Sequence, residues 1–474
     1  MSEGAGVLIS LKPLMLSGRE VWPLIEGGKG VAATSGLSSG SWARAGGIGT
    51  ISGVNNDVID HNGEFVPLVY KGKTRLERHN ELIEYSIKGA ISQARIGHDV
   101  SGGEGRLHLN VLWEMGGCER VLHGVFEGAK GLIHGITCGA GMPYRLAEIA
   151  GRYNVYYYPI VSSARAFSAL WKRAYHRVSD WMGGVVYEDP WRAGGHNGLS
   201  NSEDPRNPEP PRPRVQALRD TMRKFGLDDT PIVMAGGVWH LDDWADWIDS
   251  PELGPIVFQF GTRPLLTRES PIPESWKRRL VELDEGDVLL HRFSPTGFYS
   301  SAIYNDFLKE LVARSKRQVA FATEADPAND LICELPFGTR GRSVFVKAED
   351  AERIAAWTEA GYTQAMKTPD DRLIYVTPEK AREIKRDQAD CMGCLSFCKF
   401  SNWSDRDDYT TGKPPDPRSF CIQKTLQGIA HEGDVRNELV FAGHNVFRFK
   451  QDPFYSNGFV PTVRELVDRI VTGR

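Results

Sequence analysis

The sequence predicts an α/β protein whose first part is a parallel (β/α)8 barrel, and three stretches carry that prediction. They are Ala193-Gly194-Gly195-His196-Asn197-Gly198, Pro231-Ile232-Val233-Met234-Ala235-Gly236-Gly237 and Phe258-Gln259-Phe260-Gly261-Thr262-Arg263. Each marks the end of an apolar run of strand length, closed by glycines or small polar residues. Such ends leave backbone N–H groups bare, and bare N–H groups bind phosphate. Three of them in order along the chain fit a barrel that holds a phosphorylated cofactor at its C-terminal face.

Eight strand candidates follow in order: Val21–Ile25, Ile48–Ser52, Arg106–Val111, Gly131–Ile136, Asn154–Val161, Gly184–Tyr187, Pro231–Ala235 and Ile256–Phe260. Amphipathic helices fit between several of them, among them Glu77–Ile96, Arg165–Arg177 and Arg214–Phe225. Alternation of this kind suits a TIM barrel. A doubly wound sheet is the alternative, disfavoured because no Gly-x-Gly-x-x-Gly turn dominates the first strand–helix junction. Residues Ser200–Arg214 hold five prolines, which predicts a stiff non-helical insertion, either a plain surface loop or a lid over the site.

Beyond about residue 290 the barrel pattern stops. Ser343–Lys347 and Leu373–Val376 read as strands, Asp350–Ala360 and Pro378–Gln388 as helices. The expected division is therefore a barrel over 1–290, a small α/β extension over 291–385 and a four-cysteine module over 386–474. At 474 residues the chain is long enough for two or three such units. A net charge of -4 gives no reason to expect nucleic acid or an anionic membrane as partner. No apolar run approaches the length of a membrane span. Glu3 and the interruption at Lys12 argue against a secretory signal, so a cytoplasmic protein is expected.

Seven cysteines, an odd number, argue against a disulfide framework. Four of them, Cys391, Cys394, Cys398 and Cys421, crowd together as C-x2-C-x3-C and a later cysteine. Closely spaced thiolates of this kind wrap three corners of a [4Fe–4S] cube, with the fourth supplied by a later loop. Zinc also accepts four thiolates, though paired C-x2-C knuckles are its commoner pattern. Unmetallated thiols are the third reading.

Residues 20 to about 305 resemble the nitronate monooxygenase (2-nitropropane dioxygenase-like) family of FMN-binding barrels. The matching motifs run in the family's order. Gly27-Gly28-Lys29-Gly30 follows the first strand and Ala45-Gly46-Gly47-Ile48-Gly49 precedes the second. Asn110 ends the third, and Gly139-Ala140-Gly141-Met142-Pro143 follows the fourth. Ala193–Gly198, Ala235-Gly236-Gly237 and Gln259-Phe260-Gly261-Thr262 complete the set. The resemblance implies FMN, with phosphate on Gly236, Gly237, Gly261 and Thr262, and Asn110 and Gln259 near the ring. Gly27, Gly28, Lys29, Gly139, Gly194 and Gly195 complete the implied cofactor contacts.

The resemblance also implies that His196 is the base removing a proton α to a nitro or carbonyl group, with electrons passing to FMN and O2. The residue types suit those roles. Paired glycines let a backbone approach phosphate, and an imidazole titrates near neutrality. The trio of close cysteines is similar to the cluster motif of 2,4-dienoyl-CoA reductase-type flavoenzymes, without their downstream second flavin domain.

Two positions depart from the nitronate monooxygenase pattern. Lys29 stands where methionine is common, and Arg192 where an acidic residue is common. Either both point to solvent, or Lys29 favours the reduced flavin and Arg192 attracts an acidic substrate or a CoA thioester. His108, His123 and His134 are expected to be structural, Cys138 to be a buried thiol, and Trp239 and Trp244 to pack. Three functions therefore compete. The first is an FMN oxidoreductase of the nitronate monooxygenase type acting on a small molecule. The second is an FMN/[4Fe–4S] reductase of an activated alkene fed by NAD(P)H or a ferredoxin. The third is a non-catalytic flavin/Fe–S redox sensor.

Overall fold

Eight parallel strands close into a barrel in the computed structural model, which describes residues 11–338, 342–406 and 408–473. Glu3 and the rest of the first ten residues lie outside the described residues. The strands are β1 (Leu24–Glu26), β2 (Ile48–Ser52), β3 (Arg106–Leu112), β4 (Gly135–Gly139), β5 (Tyr156–Val161), β6 (Val185–Glu188), β7 (Ile232–Ala235) and β8 (Ile256–Phe260). They pair in sequence order, and β8 returns to β1 with Phe258 opposite Leu24. Ile25, Ile48, Tyr158, Val186, Val233 and Val257 point inward and form one apolar cluster.

Two strands depart most from the sequence reading, the others by no more than two residues at an end. The expected first strand, Val21–Ile25, is split at Trp22-Pro23, because proline donates no ladder hydrogen bond. Its first part belongs to a hairpin, Leu14–Leu16 with Arg19–Val21, that caps the N-terminal mouth. At the hairpin turn, Ser17 Oγ lies 2.8 Å from both His108 Nε2 and the Tyr158 hydroxyl. That fixes His108 as a structural histidine, fully buried, and burial pushes its pKa down to about 3. The expected fourth strand, Gly131–Ile136, begins later, at Gly135, because Gly131 has φ 79° and turns the chain.

Helices α1 (Gly36–Arg44), α2 (Arg75–Val100), α3 (Cys118–Gly128), α4 (Leu146–Tyr153), α5 (Ala164–Arg173) and α6 (Pro211–Arg223) surround the strands. α1 and α2 each start with a capping box, Ser35 with Ser38 and Thr74 with Glu77. α1 presses on β2 so closely that a Cβ on Gly49 would lie 1.8 Å from the Ser39 carbonyl. Gly49→Ala should therefore cost about 3 kcal/mol or more of stability, read as a lowered melting temperature. An unchanged melting temperature would refute this account of the contact.

After β8 the chain makes α7 (Glu274–Glu282) and leaves the barrel. The helix Val463–Thr472 packs on α1, and its Val463, Leu466, Val467 and Ile470 enter the core that holds Trp244 and Phe258. This last helix therefore belongs with the barrel rather than with the cysteine segment. The intervening extension carries the expected elements, as Arg342–Val346, Arg372–Val376, Ala348–Glu359 and Pro378–Ala389. No helix among the described residues is long and apolar enough to cross a membrane.

Candidate functional site

The C-terminal strand ends frame a cavity of about 450 Å³. Its floor brings together every sequence-selected cofactor residue: Gly27, Gly28, Lys29, Asn110, Gly139, Gly194, Gly195, Gly236, Gly237, Gln259, Gly261 and Thr262. Gly236 and Gly237 have φ of 91° and 83°, left-handed conformations that glycine adopts without strain. A Cβ on Gly261 would meet nothing within 4 Å, so this backbone faces open space. A Cβ on Gly28 would lie 2.2 Å from the Asn110 Cβ, so glycine lets the β1 loop close against β3.

FMN fits this cavity. One side offers a glycine-lined backbone cradle of the kind that holds phosphate. Two buried amide nitrogens, Asn197 Nδ2 and Gln423 Nε2, have no hydrogen-bond partner among the described residues, and both residues line the cavity. Unpaired buried donors are costly and point to a polar occupant.

His196 sits on a two-residue strand, Gly195–His196, paired with Ser301 and Ser300. Its Nε2 lies 2.7 Å from Ser294 Oγ, which in turn lies 2.9 Å from Thr296 Oγ1. The ring meets Phe441 edge to face at 5.5 Å. Burial pushes its pKa down to about 4, so the imidazole is neutral at physiological pH. His291 lies nearby and is held down to about 3, first by burial and then by His196.

Lys29 is largely withdrawn from solvent, with its side chain 15% exposed. Its ammonium donates to the Gly27 carbonyl at 2.7 Å and lies 3.6 Å from Glu26 Oε1, and burial lowers its pKa. Arg192 is committed to Asp189 at 2.8 Å and to the Glu209 carbonyl at 2.9 Å, which offsets its pull on an acidic ligand. Glu188, one residue past the expected sixth strand, also faces the cavity. Burial first, and then the neighbouring Asp189, push its carboxyl up to about 8, so it is held as a neutral acid. Its position at a barrel strand end was the available signal.

The proline-rich insertion is not the cover. Among the described residues none of Ser200–Arg214 lines the cavity; the segment ties back through Arg214 to Glu203 and Glu209, and its last prolines open α6. The roof comes from far along the chain, with Phe298, Leu395, Ile422, Gln423 and Phe441. Gly194 admits that roof, since a Cβ there would lie 2.6 Å from the Ala442 carbonyl carbon. Gly443 N–H donates to Thr262 Oγ1 at 3.1 Å, which stitches the roof to the phosphate side.

Cys391, Cys394, Cys398 and Cys421 line one small second cavity, and Cys394 also lines the first. All seven cysteines are free thiols. Among the described residues no three His, Cys, Asp or Glu side chains stand in the arrangement a metal ion takes. Cys138 is a buried thiol beside Cys118, away from the cavity, and Trp239 and Trp244 are packing residues.

A family model described as nitronate monooxygenase matches residues 134–374, just over half of the chain. The chain belongs to the nitronate monooxygenase family. Its membership accounts for the closed barrel and supports an FMN-dependent oxidoreductase. Among solved structures, FabK from Thermotoga maritima is similar at 13% identity, covering 95% of this chain and 91% of its own, with a TM-score of 0.50. The enoyl reductase domain of MlnA from the Bacillus amyloliquefaciens macrolactin cluster matches at 11% identity over 95% and 93%, TM-score 0.48. Nitroalkane oxidase from Streptomyces ansochromogenes matches at 15% over 61% and 78%, TM-score 0.42. The likeness to FabK shows the fold alone. No curated protein matches the chain.

Proposed function

We propose that this nitronate monooxygenase family member is an FMN oxidoreductase in which His196 removes a proton from the carbon α to a nitro or carbonyl group. The observation that carries this reading is a half-buried, neutral imidazole in the wall of a cavity whose floor is a phosphate cradle. FMN, when bound, supplies the two-electron redox chemistry, with O2 as the final oxidant. Gly236, Gly237, Gly261 and Thr262 hold its phosphate, and Asn110 and Gln259 approach its ring.

In the tautomer with its proton on Nε2, His196 donates to Ser294 Oγ and Nδ1 is left as the base. Nδ1 makes no hydrogen bond among the described residues. The Phe441 ring packs edge to face on the imidazole and takes part of its surface from water, which favours the uncharged form before it accepts the proton. Glu188, held neutral, donates a hydrogen bond to the developing oxyanion of the substrate.

The test is anaerobic mixing of the holoenzyme with an alkyl nitronate and, separately, with the parent nitroalkane. Bleaching of the flavin by the nitroalkane supports the reading; bleaching by the nitronate alone, which has already lost the α-proton, overturns His196 as the base, and no bleaching by either overturns the whole reading. The pH profile adds a second check. A base whose pKa is lowered to about 4 stays deprotonated above that pH, so the acid limb of kcat/KM should fall near 4. A limb at the ordinary histidine value of about 6.5 would remove His196 as the buried base.

A second reading, an FMN/[4Fe–4S] reductase working on an activated alkene, is favoured by one observation. Cys394 lines both the large cavity and the cysteine cavity.

A further inference from the structure

We propose that Cys391, Cys394, Cys398 and Cys421 bind one [4Fe–4S] cluster set into the wall of the large cavity, with Cys394 as the shared corner, and that this cluster is the protein's electron port. The electron-port part rests on the FMN reading above; the metal site itself does not.

Four observations converge. First, all four thiols surround one enclosed space, although Cys421 lies in a different segment from the other three. Zinc would draw its thiolates to about 3.8 Å from one another, the edge of a tetrahedron with Zn–S about 2.3 Å. Among the described residues no three such groups stand in the arrangement a metal ion takes. A cubane anchors each thiolate on a separate iron, so its four sulfurs stand farther apart than those on a single ion.

Second, the sulfurs are already fitted with donors. Gly393 N–H points to Cys391 Sγ at 3.4 Å and the Ser401 hydroxyl to the same sulfur at 3.1 Å. Such bonds suit anionic thiolates on a cluster rather than neutral thiols. The Tyr70 hydroxyl is buried beside Cys394, Cys421 and Cys391 with no partner among the described residues, a donor waiting for an acceptor.

Third, the loop carries positive charge. Arg75 bonds the carbonyls of Ser401 and Gln388, and Arg78 those of Cys391 and Ala389. Two guanidiniums against this loop offset the net negative charge of a cluster with four thiolates. Asp387, the carboxylate on the cavity, is paired with Lys424 at 2.8 Å.

Fourth, the loop is fastened to the barrel. Gly116 N–H donates to the Cys394 carbonyl at 3.0 Å, and Ser396 binds Glu114 through its backbone N–H and its hydroxyl, both at 2.8 Å. The cluster corner is thus held at a fixed place in the wall of the large cavity.

The electrons balance as follows. Where the carrier rather than O2 reoxidises the flavin, reduced flavin would give up two electrons and release its two protons to solvent. The cluster, cycling between its 2+ and 1+ states, passes those electrons singly to two molecules of a one-electron carrier protein. Running the sequence backward loads the flavin from the carrier.

The experiment uses full-length protein purified without oxygen, with iron, sulfide, zinc and flavin measured on the same sample. About four iron and four sulfide per chain, with an electron paramagnetic resonance signal on dithionite reduction, are expected. Cys398→Ala and Cys421→Ala should lose the iron and keep FMN, and Cys138→Ala, outside the nest, should keep both. Stopped-flow reduction of the flavin by a reduced plant-type ferredoxin should slow at least 100-fold in Cys398→Ala. Zinc, or flavin without iron, would overturn the site and leave the FMN reading standing. Iron without flavin would overturn the FMN reading, and the port with it, and leave the site. An iron cluster whose loss does not change the reduction rate would overturn the port. Should the alanine variants not fold, the metal content of the unaltered protein and its reduction by ferredoxin still decide both parts.

Discussion

His196→Asn should lower turnover by about 10²–10⁴ while the protein still binds FMN. Asparagine keeps a polar group near Ser294 and removes the only imidazole on the cavity wall among the described residues. The loss should fall on kcat and kcat/KM together, as it does when a group acts in the transition state. Steady-state kinetics at several pH values decide the matter, because the variant should also lose the acid limb near 4. A variant with near-normal turnover would show that proton removal is done elsewhere, with Glu188 the next group to test. Ser294→Ala should have a smaller effect, since it loosens the ring without removing it.

Gly261→Val should abolish FMN binding without harming the fold. Its Cβ would meet no protein atom within 4 Å, and the backbone there is not left-handed, so the empty protein has room for the side chain. The stability of flavin-free protein should change by no more than about 0.5 kcal/mol. The added methyl groups would occupy the space assigned to phosphate, so FMN affinity should fall at least about 100-fold, or about 2.7 kcal/mol. Titration of flavin-free protein with FMN, followed by fluorescence quenching, reads this directly. Retained affinity would mean that phosphate sits at another strand end and that the cradle at Gly236, Gly237, Gly261 and Thr262 is misassigned.

The floor of the site was legible because it is local. A strand ending in Gly-Gly or Gly-Thr writes its own backbone geometry, and His196 follows two such glycines. His108 was expected to be structural, but its partner Ser17 could not be named from the sequence. The roof was hidden. Phe441 and Gln423 meet His196 and Asn55 across hundreds of residues, and contacts at that separation leave no period or spacing in the sequence. Of the two readings left open for Lys29, the structure favours the cavity, and its partner Glu26 could not be seen in the sequence because it looks like any exposed acid until β1 buries it. One missed element did carry a signal. Thr462-x-x-Glu465, followed by apolar residues at 463, 466, 467 and 470, is a capping box at the head of an amphipathic helix.

That helix has a consequence for how the protein comes into being. Val463–Thr472 packs on α1, which is made long before it. Until Val463–Thr472 has been synthesised the face of α1 that it covers stands open, and until Phe441 has been synthesised the cavity lacks its full roof. Pairings of such long sequence separation form slowly, since loop closure must be met before the contacts reward it. Flavin loading is therefore expected only once the roof segment has been made, and a nascent chain stalled before residue 440 should hold no FMN.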